Sequence, residues 1–143
     1  MRIVGFNFKK INCERKKDNF QGKLNVDASL NIEDLTKSDM DLFKKQDILD
    51  CSFEYKILYD PDFAEIVLKG NVLILLDSKD EKITNLLKDW KKKKLSEDFK
   101  TPIFNYALNK CNLKALQLES DFNFPPHIPL PRMSSKTKAN YTG

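Results

Sequence analysis

A chain of 143 residues is the size of one domain, long enough to withdraw roughly 68–70% of its unfolded surface from water. Hydrophobic residues at 41% and charged residues at 32% exclude a collagenous, low-complexity or disulfide-scaffold chain and leave an ordinary globular one. The 25 basic and 21 acidic residues are interspersed, so the net charge of +4 implies solubility and a mild pull on polyanions, not a dedicated nucleic-acid surface.

The N-terminus, Met1 to Phe6, runs straight into a strand pattern with no apolar stretch ending in a cleavage site. The longest apolar run, Val72 to Leu76, is far too short to cross a bilayer. A cytoplasmic location is therefore expected, without membrane insertion. Residues 2–8 alternate, with Val4, Phe6 and Phe8 on one face, and the basic segment Lys9 to Asp18 either extends that strand or forms a loop. Next, Leu24, Val26, Ala28, Leu30 and Ile32 share one side while Lys23, Asn25, Asp27, Ser29, Asn31 and Glu33 share the other. Strict period two over that length gives one buried and one wet face, the pattern of an antiparallel sheet.

Residues 33–47 lose the alternation and predict a loop or one short helix. It returns with Phe53, Tyr55, Ile57 and Tyr59 opposite Ser52, Glu54, Lys56 and Asp60. Tyr59-Asp60-Pro61-Asp62 is a turn signal, since proline presets φ and aspartates bond nearby backbone, and Glu65 to Leu76 supplies the other arm of a hairpin. Because Val72 to Leu76 is apolar on both faces, both sides of the sheet are expected to be covered there, by helices on one and a further subunit on the other.

From Ser78 the period becomes helical: Ile83, Leu86, Leu87 and Trp90 recur, and Lys91 to Lys94 complements a helix C-terminus. Thr101 and Pro102 predict the N-cap and first position of a second helix, with a stripe of Phe104, Ala107, Leu108, Cys111, Ala115 and Leu118 that ends at Asn123. Pro125, Pro126, Pro129 and Pro131 then exclude helix and central strand, and interleaved Phe124, Ile128, Leu130 and Met133 predict an extended strap on apolar surface. Strands first and helices last make an α+β fold, one domain over residues 1–133, with 134–143 as a disordered polar tail.

Chemistry-bearing motifs are scarce. Cys13, Cys51 and Cys111 are too far apart for metal-ligand spacing, and His127 is the one histidine, so neither a metal site nor a disulfide is expected. Cys111, inside an apolar helical stretch, reads as a small buried hydrophobe. His127 has no acid or nucleophile near it in sequence, and no glycine-rich phosphate loop or nucleophile elbow occurs. No cofactor and no catalytic residues are expected, and the chain reads as a non-enzyme. The lysines at 88–94, and the group Lys9, Lys10, Arg15, Lys16 and Lys17, read as solvated surface. Nucleic-acid binding through them is an alternative whose mark would be a steep loss with salt. Pro126 and Pro129 fit a PxxP ligand, but their apolar neighbours favour a covering role. The apolar excess stands out: Tyr55, Tyr59, Phe63, Phe104, Phe122 and Phe124 exceed what one helix-covered sheet needs, which points to a homo-oligomer interface or a groove for apolar segments of other proteins.

The order of these elements resembles SecB, the tetrameric export chaperone, over residues 3–133. It does so in the strand from Lys23, the hairpin around Tyr59-Asp60-Pro61, the helix start Pro102-Ile103-Phe104-Asn105-Tyr106-Ala107, and the crossover Phe124-Pro125-Pro126-His127-Ile128-Pro129-Leu130. The resemblance implies a four-stranded antiparallel sheet with C-terminal helices on one side, a proline-rich crossover strap, and a dimer of dimers. It also implies holdase activity in protein transport: unfolded or nascent polypeptides bound without ATP in grooves, with Phe53, Tyr55, Tyr59, Phe104, Phe122, Phe124 and Leu130 as client-binding residues. An adaptor for one defined protein partner is the alternative. Family members are acidic and carry a zinc-binding tail, whereas this chain is basic and Ser134 to Gly143 lacks Cys and His, so a link to the SecA motor is not expected.

Overall fold

The computed structural model describes residues 1–39, 46–77 and 82–134. Four antiparallel strands, β1 (Arg2–Arg15), β2 (Asn25–Lys37), β3 (Ile48–Asp60) and β4 (Ala64–Leu75), form one sheet in the order β1-β4-β3-β2. Two helices, α1 (Ile83–Lys91) and α2 (Glu97–Phe122), follow and lie on one side of it. This is an α+β fold. Most of the expected tail, residues 135–143, lies outside the described residues, as do 40–45 and 78–81.

The near face, under the helices, collects the aromatic and branched residues of the central strands: Leu49, Cys51, Phe53, Tyr55, Ile57 and Tyr59 of β3 with Ile66, Leu68, Val72 and Ile74 of β4. On the far face Asp50, Ser52, Glu54 and Lys56 alternate with them, as period two requires. The hairpin closes with Tyr59 opposite Ala64. Asp60-Pro61 is cis, and Asp62 takes the left-handed backbone (φ 46°) that short polar side chains tolerate. At the Val72–Leu76 end both faces are buried. Leu73 and Leu75 join Ile48 and Val4 in a small far-face cluster, while Val72, Ile74 and Leu76 belong to the main core.

β-bulges account for three departures from simple alternation. One between Ile3 and Gly5 sends Val4 to the far face, so Ile3, Phe6 and Phe8 occupy the near side and Val4 does not share it. A second, between Phe8 and Lys10, lets β1 continue through the basic segment to Arg15. The third, between Ile32 and Asp34, carries β2 four residues past Glu33 into the stretch expected to be loop; the Asp34 carboxylate accepts from the Leu35 N–H at 2.9 Å, and Leu35 enters the core. Only Leu30 and Leu35 of β2 are fully buried; Val26 and Ala28 stay exposed on this edge strand.

α2 starts five residues earlier than Thr101-Pro102 suggests, because Ser96 is the better cap. Its hydroxyl accepts from the Phe99 N–H at 3.3 Å, and Glu97 and Asp98 sit in the positively polarised first turn. Pro102 therefore lies inside the helix. The buried stripe is Ile103, Ala107, Cys111, Ala115 and Glu119 at four-residue spacing, with Phe104, Leu108 and Leu118 half-buried beside it. Small residues along that line bring the helix axis close to the sheet. At the C-terminus Asn123 adopts φ 59°, its N–H bonds the Ser120 carbonyl, and Phe124 N–H bonds Glu119 at 2.9 Å. This is a Schellman closure whose hydrophobic partner is buried Phe124.

Candidate functional site

Two places combine uncommon chemistry with geometry. The first is a groove of about 390 Å³ between the β2 edge and the helices, floored by Leu30 and Ile32, walled by Trp90 of α1 and Phe104 of α2, and rimmed by Glu97, Lys100 and Thr101. The rim charges pair with each other, Lys100 to Glu97 at 3.0 Å, so the groove offers apolar contact with little net field.

The second is a buried polar cluster where α2, β3 and the proline-rich segment meet. Glu119 is 1% exposed, and its carboxylate accepts from the Tyr59 hydroxyl and meets His127 Nδ1 at 2.6 Å. His127 Nε2 lies 3.0 Å from Asn112 Oδ1, which also accepts from the Tyr55 hydroxyl at 2.8 Å. Burial, then the hydrogen bond to Glu119, pushes the Tyr59 hydroxyl far above its ordinary titration; burial does the same at Tyr55. Both His127 nitrogens are thus engaged within the fold, one by Glu119 and one by Asn112. Glu119 and Asn112 are the residues that reading the sequence missed. Glu119 falls one further four-residue step beyond Cys111 and Ala115 on the buried line, and that register was the available signal.

The residues expected to touch clients are not all brought together. Phe53, Tyr55 and Tyr59 are at most 1% exposed and Phe124 is 4%, so in this subunit they belong to the core under α2, without surface to offer. Phe104 lines the groove. Phe122, 38% exposed, and Leu130, 54% exposed, stand at the surface. The segment after Phe124 is anchored by His127 but leaves Leu130 and Met133 uncovered, so the strap lies only partly on this chain's own apolar surface. Pro126 to Arg132 curve around a second concavity of about 380 Å³.

The two basic patches differ. At 9–17, Arg15 donates to the Phe122 carbonyl and its guanidinium lies 5.3 and 5.1 Å from the Phe63 and Phe124 ring centres, while Lys16 pairs with Asp62 and Glu65. Those charges are engaged within the fold. Lys91 to Lys94 lie at and just beyond the end of α1 and are mostly exposed, as a solvated helix terminus requires. Burial pushes the thiols of Cys111 and Cys51 up to about 12, in keeping with Cys111 as an inert core residue. No described helix is long and apolar enough to cross a membrane.

No protein-family model matches the sequence, and no curated protein matches it either. Similarity lies in the fold. The Mycobacterium tuberculosis SecB-like chaperone Rv1957, solved with a ChAD peptide from the HigA1 antitoxin Rv1956, superposes with a TM-score of 0.51 at 13% identity over 93% of this chain and 89% of that one. A Streptococcus agalactiae protein of unknown function superposes with a TM-score of 0.52 at 10% identity over 90% and 94%. The fold is SecB-like.

Proposed function

We propose that this protein is an ATP-independent chaperone that captures extended apolar segments of other polypeptides in the groove beside β2. The observation that carries this reading is the groove itself: Leu30, Ile32, Trp90 and Phe104 gather at an edge strand that pairs, among the described residues, with β3 alone. An extended segment can lie along such an edge through backbone bonds while its side chains enter the groove. Burial contributes about 25 cal/mol per Å² of apolar surface, so one site is weak, and several sites in a homo-oligomer hold a long client together. A dimer of dimers is the assembly in this reading, and solution mass measures it; a strict monomer removes the multivalent part. Of the residues implied by resemblance, Phe104, Phe122 and Leu130 are the ones with surface to give, while Phe53, Tyr55, Tyr59 and Phe124 support from beneath.

The test is aggregation of a chemically denatured client. Stoichiometric protein slows it without nucleotide, and Phe104→Asp, which places an unpaired charge in the groove wall, abolishes the effect while leaving the fold intact. Aggregation unaffected by the parent protein, or slowed equally by the variant, overturns the proposal. The likeness to a chaperone solved with an antitoxin peptide favours a second reading, an adaptor for one defined partner. One dominant protein in a pull-down, in place of a spread of unfolded chains, selects it.

A further inference from the structure

The polar cluster is what holds the proline-rich segment. Pro125, Pro126, Pro129 and Pro131 have no N–H to give, so a backbone ladder cannot carry residues 125–131. Leu130 and Met133 are exposed, so the distal half buries little. Short of the backbone bridge at Ser134, the segment is attached at Phe124, seated among the rings of Tyr59, Phe63 and Phe122, and at His127, whose side chain is 3% exposed and edge-on to Tyr55.

The geometry points to a proton-operated latch: doubly protonated His127 fastens residues 124–133 over the Tyr55–Tyr59 end of the near face, and loss of one ring proton releases them. Both ring nitrogens face oxygens, Glu119 Oε1 and Asn112 Oδ1, and the Asn112 oxygen is turned this way by the hydroxyl that Tyr55 donates to it. An imidazolium donates to both. A neutral ring has one N–H, and its other nitrogen then sets a lone pair against an oxygen.

Four polar groups lie around His127 among the described residues. On α2 it faces Glu119 and Asn112, and on β3 the hydroxyls of Tyr55 and Tyr59. Cys13 on β1 lies in the field of Glu119 and Asp121 of α2, and Arg15 on β1 is engaged with Phe122, Phe63 and Phe124. Burial holds both hydroxyls protonated and, with Glu119 and Asp121, pushes the Cys13 thiol up to about 11. Among the described residues His127 is the one basic side chain paired with the Glu119 carboxylate. Once that charge is gone, the buried carboxylate is relieved by the segment lifting away and water entering. The latched state holds one more proton than the released one, so release is favoured as pH rises, up to about tenfold per unit. Lifting bares the rings of Tyr55, Tyr59 and Phe63, additional ground for an apolar client; that consequence rests on the chaperone reading, and the latch does not.

A single histidine gives a single pair of imidazole nitrogen signals. The latched state is the one in which both nitrogens are protonated, with ring contacts between His127 and Tyr55 and restricted carbon relaxation at Phe124 and Ile128. Between pH 6 and 8.5 those contacts fade and Ile128 gains motion. His127→Gln frees the segment already at pH 6. Glu119→Gln, which keeps the acceptor and removes the charge, abolishes the pH response and carries the test alone should His127→Gln not fold. A segment held fast around a neutral imidazole, or one equally restrained at both pH values, overturns the latch. Client aggregation is followed in parallel: a segment that opens while capture stays the same, or never occurs, leaves the latch standing and defeats its link to chaperone action.

Discussion

The two faces of this sheet are built from the same strands, one residue out of step, yet they are held by different physics. On the near face shape decides. Phe6 stacks on Phe53 at 5.4 Å, Tyr59 meets Phe124 at 5.2 Å, and Gly70 leaves room that a side chain would fill. A Cβ at Gly70 would overlap the Asn7 carbonyl oxygen and stand 2.9 Å from Phe53 Cζ. On the far face charge and amide groups decide. Asn71 donates to both Asp50 oxygens at 3.0 Å and accepts from Asn7, and Lys69 bridges Glu54 and Glu33. Packing falls steeply with a missing or added methylene, whereas a half-exposed ion pair is nearly neutral, so the two faces should answer mutation on different scales.

The largest effect belongs to Phe53→Ala. Removing a ring 1% exposed costs about 3–5 kcal/mol, lowering the thermal midpoint by roughly 10 °C or more in a chain of this size. Gly70→Ala attacks the same contact from below, and because the clash is with backbone, β1 must shift from β4; a loss of about 1–3 kcal/mol or more follows. A Gly70→Ala protein as stable as its parent in a urea titration would mean that the near face is not closely packed. Ala115→Leu comes next. It forces α2 away from the sheet at a residue with no exposed surface, for about 1–3 kcal/mol, and the same titration reads it.

This asymmetry also explains what could be read in advance. Alternation at 52–60 and the turn at Asp60-Pro61 fixed β3, β4 and their hairpin because both faces follow one rule there. The fold class followed from strands preceding helices. Bulges escaped, because a single extra residue such as Val4 changes face without changing composition. The start of α2 was misplaced because proline at a first turn and serine at a cap are both valid signals, and only tertiary context ranks Ser96 above Thr101. In the candidate site, Phe104 was legible as an aromatic on the helix, but Leu30 and Ile32 became its neighbours only through packing across more than 70 residues of chain. The Glu119–His127 pair was illegible for a similar reason: an acid eight residues away is in reach only when a Schellman turn folds the chain back.

The smallest effect belongs to the far face. Lys69, donating to Glu54 at 3.0 Å, holds that carboxyl below the usual carboxylate range against the opposing push of burial, and Lys56 adds to the pull. A depressed carboxylate contributes its stability above its ordinary titration, near pH 4.3, and loses it as pH falls through the lower folded value. Lys69 itself is raised by Glu54 and then Glu33, so its share is present below the ordinary lysine range and is lost only as pH climbs past the raised value. The pair therefore acts on a plateau spanning neutrality. Glu54→Gln should cost less than about 1 kcal/mol there and nothing measurable in acid below the folded titration. Salt at 1 M, where the screening length is about 3 Å, should shrink the difference further. A Glu54→Gln penalty as large as that of Phe53→Ala, unchanged by salt, would show that the far face is covered by more than water and would erase the contrast between the two sides.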